Sequence, residues 1–550
     1  MTTQRAKILV LLLLGGIFVG FAPVGVAGTI SPLKVTLMDS SAGTATICQL
    51  DFGFPGTLPK DGRIVITFPA GFSVAGVVMA ASPNGSVDGG FQVTTVPATR
   101  TVTVTRDGTG SVIMGYASAR ISVALVTNAT TPGSYTLTLE TRDGSGITID
   151  GPSTSSPFQV ISGALHHFVV SGVPSAVTAG SSFPSSVTVT AKDAFNNTVT
   201  NYAGTVTWSS SDPRAGLPAG GGGFTGGQKT FSGSDFVLRT AGAQTVTVTD
   251  VTAGVSQQSG AIQVNAGPIA SFTLSAGLSQ VAGVPFALSV TGAVDSEGNP
   301  ASGTVVVSVA SGGGSSPNGT LPTLSNITVA NGSGSANQTL VRAVGTELQG
   351  AVGMVVRSTG TITVLPGALG SFTLTGYPSA VTAGSSFGAN NVTVAAYDLY
   401  GNLKTNYTGQ VYFTSTDANA ILPYTPSSRY TFTLGDAGVH SFAGTGFVLR
   451  TAGAQTVTVT DAAAGVSQQS GAIQVNAGAI ANFSLSAGLS QVAGVPFALS
   501  VTGAVDSEGN PASGTVVVSV ASGGGNSPNG TSPTLSNITV ANGSGSANQT

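Results

Sequence analysis

The chain has little of what chemistry usually requires. Charged residues make up 7% of its 550 positions, against roughly a quarter in an ordinary soluble protein. It carries one cysteine, one tryptophan and three histidines. A lone cysteine excludes an intramolecular disulfide framework and any multi-cysteine metal site. The net charge of −3 is spread thinly with no basic stripe, which argues against nucleic acid as a partner. Beyond the N-terminal region no apolar run is long enough to span a membrane, so no span is expected in the mature chain. Disorder is not the consequence of so little charge. Hydrophobic residues reach 41%, and many are β-branched Val and Ile, which suit pleated, half-buried strands. The fold class expected is all-β.

What is present begins with an export signal over residues 1–27. Arg5 and Lys7 precede an uncharged, leucine-rich core over 8–21, and Gly25-Val26-Ala27 supplies small residues before Gly28. The competing reading is an uncleaved anchor, since no charge separates Lys7 from Lys34; Pro23 and its small neighbours favour cleavage. Cys48 shares a strand face with Leu50 and Phe52, the pattern of a buried core thiol.

The chain is organised around a duplication. Residues 236–339 return as 447–550 at an offset of 211, with seven differences over 104 positions, among them Pro268 against Ala479 and Leu321 against Ser532. Each copy spans the end of one repeat and most of the next, which signals an array of small domains. A distinct domain is expected over 28–164, then repeat A1 over 165–267, B1 over 268–367, A2 over 368–478 and B2 over 479–550. FVVSGVPSAVTAGSSF from Phe168 reappears as FTLTGYPSAVTAGSSF from Phe372. Trp208 and Phe413 occupy one alternating position in A1 and A2, and an aromatic there is a core position. Strands are expected over 187–191, 236–240, 244–250, 261–264, 285–291 and 303–310. Arg106-Asp107-Gly108 and Arg142-Asp143-Gly144 mark hairpin turns, in the wrong order for an Arg-Gly-Asp motif. The joints are short, so strand nearly runs into strand, as in a stiff array.

PSAVTAGSSF, the Lys192-Asp193-Ala194-Phe195-Asn196-Asn197 turn and the run 436–442 resemble the immunoglobulin-like repeats of large bacterial and archaeal surface proteins. The B repeats, with Val290-Thr-Gly-Ala-Val-Asp-Ser-Glu-Gly-Asn-Pro, are similar to invasin-like members of that group. Residues 58–72 look like another surface-protein β-sandwich module. The resemblance implies tandem Ig-like β-sandwiches in an elongated rod, preceded by a distinct β-sandwich, and serving as stalk, spacer or adhesive arm.

Candidate chemistry is sparse. His166 and His167 adjoin each other with no third ligand in view. His440 stands where the other A repeat has Lys229, which points to a solvated position. The glycine-rich stretch 220–230 lacks the glycine before Lys229 that a phosphate loop needs, and no helix follows. Asp295-Ser-Glu297-Gly-Asn299, repeated at 506–510, could suggest calcium. Pro300 and Val306 fall where an EF-hand needs glycine and glutamate, so turn support is the better reading, also for Asp193 and Asp398, with a nonstandard interdomain calcium site left open. No catalytic set recurs, so no enzyme and no obligatory cofactor are expected.

Sequons stand at Asn84, Asn128, Asn196, Asn318, Asn326, Asn331, Asn337, Asn391, Asn406, Asn482, Asn529, Asn537, Asn542 and Asn548. About half are expected by chance in so Ser/Thr-rich a chain, given how permissive the motif is. Used, they would solubilise a weakly charged surface.

The function expected is an exported, secreted or cell-surface structural or adhesive protein, whose partners are extracellular ligands or copies of itself. Alternatives are a surface-layer or filament subunit, or a spacer for a catalytic or sugar-binding module beyond Thr550. Thr550 aligns with Thr339, after which B1 runs on from Leu340 to Pro366. B2 is therefore expected to lack its last strands, and the native chain to continue with LVRAVGT-like text.

Overall fold

The computed structural model describes residues 27–550; the expected export signal falls almost wholly on residues 1–26, outside the described residues. The described chain is all-β, 48% strand and 2% helix. No helix in it is long and apolar enough to cross a membrane. Two compact units divide the chain, Met1–Asn265 and Ala266–Thr550.

The first unit opens with a sandwich made from a four-stranded and a five-stranded antiparallel sheet. Leu33–Leu37, Ala45–Phe54, Ala117–Thr127 and Ala80–Ala81 form one, in that order. Thr148–Thr154, Thr138–Arg142, Arg63–Thr67, Thr101–Arg106 and Phe91–Val96 form the other. The alternation of Ala45–Phe54 decides which side chains meet the core: Cys48, Leu50, Phe52 and Phe54 are buried while their neighbours face out. Each large apolar side chain so buried contributes about 1.5–3 kcal/mol. Cys48 is fully enclosed, and burial pushes its thiol up to about 12, so the expected inert core thiol is what the strand places there.

A second core follows, gathered around Phe168, Val187, Val189, Phe236, Val248 and Ile262. Its opening segment divides between two sheets. His167–Ser171 pairs antiparallel with Val187–Lys192, whereas Ala176–Thr178 pairs parallel with Ile262–Asn265. With Thr207–Ser210 lying antiparallel to Val246–Asp250, this is the strand pairing of an immunoglobulin-type sandwich. The second unit repeats the scheme. Ser271–Ser275 and Ser279–Val281 divide in the same way around one core, and Leu369–Thr375 and Ala380–Thr382 around another. The last segment has a three-stranded sheet, Asn482–Ser486, Phe497–Val505 and Gly545–Gln549, and a two-stranded one, Gly514–Val516 with Ile538–Val540.

Two local expectations are corrected. Residues 236–240 bury Phe236 and Leu238 as a strand would, yet only isolated bridges form there, between Val237 and both Ser182 and Gly216. The Arg239 and Thr240 amides turn instead to Asp212, which accepts from them at 2.6 and 2.9 Å. Asp143 does close a hairpin, between Thr138–Arg142 and Thr148–Thr154, and accepts from the Ile147 amide at 2.8 Å. Asp107 does not: the strand before it, Thr101–Arg106, and the strand after it, Ala117–Thr127, lie in different sheets.

Candidate functional site at the acidic turns of the joints

The acidic turns are the most repeated polar feature of the molecule. Each has the form Asp-x-x-[Gly or Asn]-Asn: Asp193 to Asn197, Asp295 to Asn299, Asp398 to Asn402 and Asp506 to Asn510. The fourth position needs a left-handed backbone, and Asn196, Gly298, Gly401 and Gly509 hold φ at 65°, 82°, 79° and 89°. Asn and Gly are the residues that tolerate it.

The carboxylates point inward. Asp193, Asp295, Asp398 and Asp506 are all buried. In Asp398, Oδ1 accepts from the Tyr400 and Asn402 amides, both at 2.9 Å. Its Oδ2 accepts from the Gly367 amide at 2.8 Å and from Asn402 Nδ2 at 2.9 Å. Gly163, Gly267 and Gly478 serve Asp193, Asp295 and Asp506 as Gly367 serves Asp398. Both oxygens of each carboxylate thus accept from N–H donors. That is the chemistry of a clasp, and it does not fit a calcium cage, which needs convergent oxygen ligands. Burial alone would push the Asp193, Asp295 and Asp506 carboxyls up. The amide of the partner Asn and the backbone N–H groups outweigh it and hold all three below the ordinary aspartate range.

In three of the four turns the closing Asn reaches back to the preceding sandwich. Asn197 Nδ2 donates to the Thr130 carbonyl at 2.8 Å, Asn402 Nδ2 to Val341 at 2.8 Å, and Asn510 Nδ2 to Arg450 at 2.7 Å. The Asn402 and Asn510 side-chain oxygens also accept, from the Ala343 and Ala452 amides at 2.9 and 2.7 Å. One turn therefore binds its own lead-in glycine and the backbone of the neighbour before it. Packing reinforces the polar clasp. A side chain at Gly43 would collide with the Phe195 ring, and one at Gly283 with Tyr400. Arg450 meets Glu508 at 3.3 Å beside Asn510. Sequence reasoning found these turns but not their partners, because the acceptors are main-chain carbonyls.

The other sequence candidates fall elsewhere. His166 and His167 meet edge to face with Nδ1 atoms 3.3 Å apart. Among the described residues no three His, Cys, Asp or Glu side chains group as metal ligands would. His440 is half-buried, which corrects the expectation of a solvated position. Its ring lies 4.1 Å from that of Tyr430, and Nδ1 is 2.8 Å from both Tyr430 Oη and Asp436 Oδ1. Lys229, its counterpart, sits over the Phe231 ring instead. Of the sequon residues, Asn128 is buried and donates its amide to the Asp39 and Ser41 carbonyls, so the fold closes it to modification. Asn406 is half-buried, and the others are exposed. A shallow groove of about 350 Å³ lies on the first sandwich, lined by exposed Met38, Ile47 and Met79 with Ala81 and Ala124.

No family model matches the chain, and no curated protein matches it. Solved structures do. The Escherichia coli adhesin FdeC is similar at 20% identity over 62% of this chain and 99% of its own, with a TM-score of 0.32. Invasin, a bacterial integrin-binding protein, is similar at 17% identity over 83% of this chain and 82% of its own, with a TM-score of 0.28. Domains 4–9 of the surface-layer protein SbsC are similar at 15% identity over 90% of this chain and 74% of theirs, with a TM-score of 0.20. At these scores the reading of the fold stands on the strand pairing and cores described above.

Proposed function

We propose that the chain is an exported cell-surface protein whose tandem sandwiches, with repeats at 165–267, 268–367, 368–478 and 479–550, act as a stiff spacer. One observation carries the reading: the buried Asp–Asn clasp recurs, and at Asn197, Asn402 and Asn510 it is hydrogen-bonded across a joint. A spacer gains from fixed joints, whereas a chain of independent binding modules gains from loose ones. The distinct sandwich over 28–164 is the contact module, with its exposed Met38, Ile47 and Met79 available to an extracellular ligand or another copy. No catalysis is part of this role. The exposed sequons outside Asn128 carry sugars if the source cell modifies exported asparagines. The test is to image single molecules of the full chain beside a triple variant, Asn197→Ala, Asn402→Ala and Asn510→Ala. The spacer reading expects the angles between neighbouring sandwiches to widen in the variant. Identical distributions would overturn it. Protease shaving of intact cells tests the location.

A further inference from the structure

The loop that differs most between the two A repeats gathers three ligating atoms in one of them. In 368–478 the strands Tyr430–Thr431 and Val439–Phe442, with the short helical turn Leu434–Asp436 between them, carry Tyr430, His440 and Asp436. His440 Nδ1 lies 2.8 Å from both Asp436 Oδ1 and Tyr430 Oη, and Tyr430 Oη lies 3.0 Å from Asp436 Oδ1. The other A repeat has Lys229 where this one has His440, so the group belongs to this copy.

The triangle has three edges and no more than two protons, one on the phenol and one on Nδ1. One edge therefore always lacks a proton of its own. A cation suits all three edges. Neighbouring ligands of a six-coordinate ion with bonds of about 2.0–2.1 Å meet at right angles and stand about 2.8–3.0 Å apart. A tetrahedral ion with similar bonds spreads its ligands wider, to about 3.3 Å. The carboxylate is also aimed. Asp436 Oδ2 accepts from the Thr433 amide at 2.6 Å and the Thr433 hydroxyl at 2.9 Å, which turns Oδ1 to the triangle. The His440 and Asp436 side chains keep 28% and 12% of their surface exposed, so an ion can enter from solvent.

We propose that Tyr430 Oη, Asp436 Oδ1 and His440 Nδ1 form one face of a six-coordinate ferric site, whose other face is left to water or a small chelating anion. A phenolate and a carboxylate are hard, anionic donors that suit a trivalent ion, and imidazole suits iron. The phenol supplies the selectivity. Burial, and then the Asp436 carboxylate, push it up to about 12. A strong Lewis acid displaces that proton, whereas calcium and magnesium do not. On binding, the Oη–H bond breaks, an Oη–Fe bond forms and the proton passes to solvent. The imidazole keeps its proton on Nε2, and the iron stays ferric throughout.

The experiment titrates ferric nitrilotriacetate into the full chain. One equivalent should bind and give a visible tyrosinate-to-iron charge-transfer band with resonance-enhanced phenolate modes. Tyr430→Phe keeps the ring and should abolish the band. His440→Gln should keep the band and weaken binding by about tenfold or more. Iron-edge X-ray absorption on the unsubstituted chain is decisive without any variant, and should show the scattering of one imidazole among nitrogen and oxygen neighbours. Four results would overturn the proposal: no band, a band that survives Tyr430→Phe, affinity unchanged by His440→Gln, or an iron spectrum without imidazole.

Discussion

The two A repeats fold alike and keep different things. Both stack a pair of phenylalanines nearly parallel, Phe183 on Phe236 and Phe387 on Phe447. In both, a tyrosine hydroxyl donates to a buried aspartate, Tyr202 to Asp250 at 2.5 Å and Tyr407 to Asp461 at 2.6 Å. In both, one aspartate gathers the amides that the missing strand would have paired, Asp212 and Asp417. What differs is apolar filling and its cover: Trp208 against Phe413, Lys229 against His440, and the loop between them. Buried polar atoms need partners in fixed directions, whereas an apolar volume can be filled by several side chains.

The largest expected effect tests that fungibility. Phe413 is 1% exposed and meets Phe442 and Phe447 edge-on at 4.9 and 5.0 Å. Phe413→Ala should cost about 3–5 kcal/mol by lost burial and a cavity. Trp208 makes similar contacts with Phe231 and Phe236, but it is only half-buried and its Nε1 is buried without a partner. Trp208→Ala should therefore cost less than Phe413→Ala, and Trp208→Phe should cost almost nothing because it removes an unsatisfied donor. Denaturant midpoints of the two repeats check the order. A costly Trp208→Phe would mean that the indole shape itself is required.

Next are the aspartates that stand in for strand pairing. Asp417 accepts from the Arg450 amide at 2.5 Å, the Thr451 amide at 2.9 Å, Thr451 Oγ1 at 2.6 Å and the Asn419 amide at 3.0 Å. Asp417→Ala strands buried donors and should cost roughly 3 kcal/mol. Asp212→Ala should cost the same within error, since Asp212 makes the matching set. A large inequality between the copies would show that these locks are not equivalent.

These locks also mark where reading the sequence stopped. The alternation of Phe236 and Leu238 was legible and does place both in the core; the loss of strand pairing was not, because Asp212 lies 27 residues away from Arg239. The turn at Asp398 was legible from Asp, Gly and Asn in tandem. Its grip on Val341 was not, since a carbonyl leaves no mark in a sequence. Copy-to-copy replacement of His440 by Lys229 suggested solvent. The pocket that holds His440 is built by Tyr430 and Asp436, from the loop in which the two copies differ most.

Acid should separate the copies next. Burial would raise the Asp436 carboxyl, but the Thr433 amide, His440, the Thr433 hydroxyl and Tyr430 together hold it down at about 2. A carboxyl held below its unfolded value, 3.8, adds stability above that pH and loses it as pH falls toward 2. Asp212 and Asp417 are also held low, by Thr240 and Thr451 and nearby amides against the pull of burial, so both repeats weaken in acid. Asp193 and Asp250 of A1 are held low as well, so the comparison is made by substitution: Asp436→Asn should flatten the acid dependence of A2 and leave that of A1 unchanged. Unfolding midpoints between pH 4 and pH 2 measure this; an A2 curve unmoved by the substitution would refute it.

The smallest effect is also the finest comparison. In both repeats the tyrosine hydroxyl reaches one carboxylate oxygen, while backbone amides occupy the other: Thr252 and Ala253 on Asp250, Ala463 and Ala464 on Asp461. Replacing the tyrosine by phenylalanine keeps the ring and removes one hydrogen bond to a charged, buried acceptor. That should cost about 1–2 kcal/mol. Solvent decides the difference between copies. Tyr407 is 3% exposed whereas Tyr202 is half-buried, so water can replace the lost donor at Asp250 more readily than at Asp461. Tyr407→Phe should therefore lower the A2 midpoint more than Tyr202→Phe lowers that of A1. Equal losses would mean that water reaches both carboxylates alike, and no loss in either would show that the backbone amides alone hold these turns.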